Sequence, residues 1–178
     1  MLAVLDTWLA LIIAIIATAR RVEARDPDPA AWRMLSILLG IALSTQARCG
    51  ADFAAMRYRL LPLGPRRIIL ARDGAYTAVQ LAFTLSLDPI AGFTFGMTAL
   101  AVGRYPSFHV KQRPKRWRFS SGRVLFGALQ MAAGATLAFA GAGGAAIAIA
   151  LWAGSVCWGG SVLAQRFRGI DAGSAPRW

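Results

Sequence analysis

The sequence predicts an all-α, polytopic membrane protein of about six transmembrane helices, and three observations carry that expectation. Of 178 residues, 57% are hydrophobic and 16% charged, against about 25% charge in an ordinary soluble domain. Mean hydropathy is +0.51. Charge is absent from Val124 to Gln165, a stretch that as one helix would run about 63 Å, roughly twice the hydrocarbon thickness of a bilayer. The composition excludes disorder, and the presence of only Cys49 and Cys157 excludes a disulfide scaffold. A net charge of +12 would argue for nucleic acid only on an otherwise polar surface. Here the basic residues interrupt apolar runs, so no nucleic-acid partner is expected.

The whole chain, 1–178, reads as a single transmembrane domain. Its first span runs from Leu2 to Ala19 and ends at Arg20-Arg21; with no basic region before it, this run does not read as a cleaved signal peptide. Met34–Ala47 is the second candidate, an uncharged run ended by Arg48 and short enough to be re-entrant or interfacial instead. Ile68–Leu87 and Ile90–Gly103 form a hairpin in which Asp88 suits the N-cap and Pro89 the first helical position. The return helix is about 21 Å long before Arg104, so it needs snorkelling or bilayer thinning to span. The long uncharged stretch folds back at Gly141-Ala142-Gly143-Gly144, giving spans near Val124–Ala140 and Ala145–Gln165.

Orientation follows from Arg and Lys. Both hairpin turns lack them, whereas Arg48–Arg67 holds five, Arg104–Arg123 seven and the tail three. The loops at about 48–67 and 104–123 are therefore expected in the cytoplasm. Arg20, Arg21, Arg25 and Arg33 do not fit, since they would lie outside if Met34–Ala47 crosses. Six spans with both ends inside is the first reading and five spans the second. In the 104–123 loop, Arg104, Lys111, Arg113, Lys115, Arg116 and Arg118 are interleaved with Trp117 and other aromatics. Such a loop is expected to lie on the anionic inner leaflet, each cation contributing about 1 kcal/mol.

No catalytic or cofactor set converges. There is no GxxxxGK[ST] phosphate loop, because the lysines, Lys111 and Lys115, precede Gln112 and Arg116. His109 is alone and the cysteines lack neighbouring ligands. Arg72-Asp73-Gly74 lacks the spaced carboxylates that lipid-head-group transferases of the CDP-alcohol type require, and Ser120-Ser121-Gly122 suits a helix cap better than a nucleophile. Asp6, Asp52, Asp73 and Asp88 sit near expected helix boundaries, where solvated or ion-paired edge roles outweigh proton coupling. Gly92-x-x-x-Gly96 and the repeat Ala128, Ala132, Thr136, Ala140, Gly144 offer close helix approach, either within one chain or in a dimer.

Ser44–Ala75 contains Gly50 and Asp52, then Leu60-Leu61-Pro62, the pair Arg66-Arg67, and Arg72. In this order the segment resembles the membrane subunits of type-2 ATP-binding-cassette exporters, although Cys49 stands where that family has phenylalanine and Ala55 where it often has glycine. Arg104-Tyr105-Pro106 is a weaker echo. The resemblance covers roughly Leu35 to Ala140. It implies a permease subunit without a cofactor, located in the bacterial cytoplasmic membrane and powered by a separate nucleotide-binding ATPase chain. It further implies that Asp52, Phe53, Met56, Arg57, Tyr58, Arg59, Leu61, Pro62, Arg66, Arg67 and Arg72 form the loop that couples to the ATPase. A homodimer or a second permease chain would complete the path. Since such permeases are generally longer, the chain corresponds to the C-terminal part of one, or to a split or reduced subunit. The alternative is a small, non-transporting scaffold or accessory subunit whose basic loops bind anionic lipid. An enzyme is not expected.

Overall fold

Each helix starts and stops for a local reason. The computed structural model describes residues 5–23, 28–47, 63–109 and 124–173, and these form six α-helices and no strand. They are α1 (Leu5–Glu23), α2 (Pro29–Ala47), α3 (Pro65–Thr84), α4 (Pro89–His109), α5 (Val124–Phe139) and α6 (Gly141–Gly173). The all-α expectation agrees with this. Three helices open on proline at the first helical position, where the missing N–H costs nothing. Asp28 caps α2 through Ala30 N→Oδ1 at 2.9 Å, and Asp88 caps α4 through Ala91 N→Oδ1 at 3.0 Å, as its sequence context predicts. Between α5 and α6 the chain reverses at Ala140-Gly141, with Gly141 at φ +62°. Side chains rarely adopt that conformation, and glycine does so without cost. Residues 142–144 already belong to α6, so the turn is tighter than the four-residue segment the sequence suggests.

Consecutive helices pack antiparallel. The α1–α2 connection and the α3–α4 and α5–α6 turns share one end, hereafter the turn end. That end is tied together by side chains. Arg21 of α1 donates through Nη1 to the carbonyls of Ser86 and Leu87, and the Thr18 and Ser86 hydroxyls are 2.6 Å apart. Arg33 Nε of α2 meets Asp88 Oδ2 at 3.1 Å, and Asp88 N donates to Ser36 Oγ at 2.9 Å. Two of the four arginines that do not suit a transmembrane orientation, Arg21 and Arg33, thus satisfy carbonyls and the cap residue of the α3–α4 turn.

α4 is the centre of the bundle, packed against α2, α3, α5 and α6, while α1 leans on α2 and α3. It has no dominant apolar face, the pattern of a helix covered on all sides. Phe95 is fully buried between two glycines: a Cβ on Gly40 of α2 would sit 2.5 Å from its ring, and one on Gly134 of α5, 2.8 Å. The helix is longer than the 14-residue return the sequence suggests: it runs 21 residues, through Arg104 to His109, and its neighbours bury most of it.

Among the described residues one helical stretch, Gly141–Gln165, is long and apolar enough by itself to cross a membrane, and most of it is exposed. Pro29–Leu43 and Gly127–Phe139 are apolar but shorter.

Candidate functional site

Polar side chains gather inside the bundle. α3 turns Asp73, Gln80 and Thr84 toward α4, a spacing of seven and then four residues that repeats one helix face. The contact with α4 is close because α4 presents glycine there. A Cβ on Gly92 would lie 2.2 Å from Thr84 Oγ1, and one on Gly96, 3.1 Å from Gln80 Cγ. The GxxxG of α4 therefore packs within the chain. Ala128, Ala132 and Thr136 of α5 and Ala140 in the turn after it, by contrast, are exposed.

The strongest feature is the ion pair of Asp73 and Arg104, 3% and 4% exposed. Arg104 donates through Nη2 to Asp73 Oδ2, and Trp152 of α6 donates to the same oxygen from Nε1 at 2.8 Å. One carboxylate oxygen thus holds three helices. From the turn end these residues lie about 16–22 Å deep at 1.5 Å per residue. A carboxylate or guanidinium taken out of water alone costs several kcal/mol, which pairing offsets. The sequence reading is corrected at two residues. Arg104 is not part of a lipid-facing loop, since it is buried on α4 and neutralised by a residue 31 positions earlier. Asp73 is not an edge residue, although it is ion-paired, whereas Asp88 is both.

The buried hydroxyls are satisfied locally. Thr84, Thr94 and Thr98 each donate to the carbonyl four residues back, at 2.7 to 2.9 Å, the usual way a helix absorbs threonine. The amides are not. Gln130 Nε2 of α5 donates to Ala99 O at 2.6 Å, but its Oε1, both amide atoms of Gln80, and Nη1 of Arg104 have no hydrogen-bond partner among the described residues. Each unpaired polar group inside a protein costs about 1–3 kcal/mol. Together they leave several polar groups of the bundle interior without a partner among the described residues.

Of the residues expected to couple to an ATPase, Asp52, Phe53, Met56, Arg57, Tyr58, Arg59, Leu61 and Pro62 lie outside the described residues. Arg66 and Arg67 are exposed on the first turn of α3, so the loop expected up to residue 67 is helical from Pro65, and Arg72 is half-buried, directly before Asp73 in the same helix. Lys111, Arg113, Lys115, Arg116, Trp117 and Arg118 of the expected lipid-surface loop also lie outside the described residues. The sequence signal for the buried site was the recurrence of Asp73, Gln80 and Thr84 on one helical face within an apolar run, which a count of charges at helix ends passes over.

No family model, curated protein or solved structure matches this chain.

Proposed function

We propose that the chain is a six-span integral membrane protein of the bacterial cytoplasmic membrane. In this reading it is the permease subunit, or part of one, of an ATP-binding-cassette exporter, and a separate ATPase chain supplies the energy. The observation that carries the reading is an inverted distribution of polarity. Ile12, Ile15, Ile16, Leu38, Leu70, Ile90, Ile147 and Leu151 are exposed, while Asp73, Arg104, Gln80 and Gln130 are buried. A soluble domain rarely exposes large apolar side chains on so many of its helices. In a bilayer the same arrangement is natural, because ionisable residues inside a membrane face the bundle interior and pair there.

The other helices do not qualify as spans on their own composition because the apolar stretches of α2 and α5 are short and α1, α3 and α4 carry charges. The end opposite the turns, where α2 gives way to α3 and α4 to α5, is then the cytoplasmic one, because the 48–67 and 110–123 connections carry most Arg and Lys. That is also where a coupling loop must lie to reach an ATPase. The scaffold reading draws support from the tight packing of Phe95 at the centre.

Copurification separates the two. An ATPase with a nucleotide-binding domain should copurify with the wild-type protein and be lost from a Phe53→Ala/Tyr58→Ala variant that still inserts into membranes. Failure of any such ATPase to copurify, or its equal recovery with both forms, would favour the scaffold.

A further inference from the structure

At the end opposite the turns, a groove of about 390 Å³ opens between the start of α3 and the late part of α6. Pro65, Arg66 and Arg67 wall one side, and Gly160, Ser161 and Ala164 the other. The floor exists because α6 has no side chain at Gly160: the stem of Arg66 lies across it, and a Cβ there would come within 2.7 Å of Arg66 Cγ.

Two chemistries meet in this groove. Its walls at Pro65, Gly160 and Ala164 are apolar. Its mouth is cationic, since Arg66 and Arg67 are exposed and neither guanidinium has a partner among the described residues. Arg168, also exposed, stands four residues beyond Ala164 on the same helical face. The start of α3 adds the positive end of its peptide dipoles, and Gly64 provides no side-chain cap to absorb it. Depth fits as well. Gly160–Ala164 come about 28–35 Å after the start of α6, at the far boundary of a hydrocarbon core about 30 Å thick.

We propose that this groove binds an anionic glycerophospholipid, its phosphate held by Arg66, Arg67 and Arg168 and the upper part of an acyl chain lying against Pro65, Gly160 and Ala164. The assignment rests on the membrane-spanning reading of α6. It gives Arg66 and Arg67 a ligand within the bilayer, whereas the exporter resemblance gives them acidic groups on an ATPase.

The test uses the full chain in a non-denaturing detergent, with native mass spectrometry to count retained lipid. Phosphatidylglycerol should be retained roughly tenfold or more over phosphatidylcholine, since each basic residue at an anionic surface contributes enough to matter on that scale. Arg66→Gln/Arg67→Gln should abolish the preference, and Arg168→Gln should reduce it. Gly160→Leu should lower retention of both lipids by filling the floor. Arg20→Gln, at the other end of the bundle, should change nothing. Equal retention of the two lipids by the wild type, or displacement of phosphatidylglycerol by inorganic phosphate at about 10 mM, enough to fill a simple phosphate site of millimolar affinity, would overturn the proposal. Membranes washed with alkaline carbonate distinguish the two failures. Release of the protein would remove the membrane reading and the groove with it, whereas retention with equal lipid binding would remove the groove alone.

Discussion

Asp73 and Arg104 hold each other in place, and the consequence is a specific pattern among their variants. Asp73→Ala leaves a guanidinium buried without its carboxylate and should cost about 3–5 kcal/mol, because breaking one half of a buried pair strands the other. Asp73→Leu/Arg104→Met removes both charges and should be closer to wild type than either single change. Trp152→Phe loses one hydrogen bond and should cost about 0.5–1.5 kcal/mol. Thermal unfolding of the purified variants in detergent measures all three, and additive losses in the double variant would show that the two groups do not interact. The pair also explains the limit of the sequence. Reading a span as ending at its first arginine assumes that the arginine is solvated, and this holds for Arg66 but not for Arg104, whose partner lies on another helix. Nothing in the local pattern around Arg104 announces that partner.

At the scale of elements, the existence and order of the helices were legible, and their ends were less so. Apolar runs, the Asp88-Pro89 pair and the glycines after Ala140 mark the helices and both tight turns. Asp28-Pro29 carries the same cap-and-proline signature as Asp88-Pro89, and α2 begins there, five residues before the uncharged run from Met34, because Arg33 is paired with Asp88 within the bundle. The two caps should differ in weight. Asp28 makes one cap bond, so Asp28→Ala should cost about 1 kcal/mol. Asp88 caps α4 and also pairs with Arg33, so Asp88→Ala should cost about 1–3 kcal/mol, adding the ion pair to the cap. The core contact of α4 makes a second comparison. Gly40→Val presses a side chain into the Phe95 ring and should cost about 1–3 kcal/mol. Adding Phe95→Leu should recover part of that loss, although Phe95→Leu alone destabilises. If the combination were worse than both, the close approach of α2 and α4 at Phe95 would be wrong.

For the whole molecule, the proposed membrane-spanning reading turns on which helix ends share a side of the bundle. Packing alone puts the start of α2 beside the start of α4, through Arg33 and Asp88, and the α5–α6 turn at the same end. If the bundle spans a membrane as proposed, the positive-inside rule puts that end outside, despite Arg20, Arg21, Arg25 and Arg33, because the 48–67, 110–123 and C-terminal segments carry more Arg and Lys between them. Arg21 and Arg33 are held to the α3–α4 turn, which gives them a role at that end that an orientation rule does not consider. In a variant with both native cysteines changed to serine, single cysteines at Ala31 and Gly143 should react with an impermeant thiol reagent added to intact cells. Both positions are exposed, and Gly143 has open space where a side chain would go. Cysteines at Gly64 and Ser120 should react only after the membrane is opened. Labelling of Ala31→Cys together with Gly64→Cys would mean that α2 does not cross, leaving five spans, and labelling of Ser120→Cys from outside would invert the orientation. The six-span proposal predicts neither: if α3 and α4 cross a bilayer, an antiparallel α2 whose first turn is bonded to the cap of α4 cannot begin and end on one side of it.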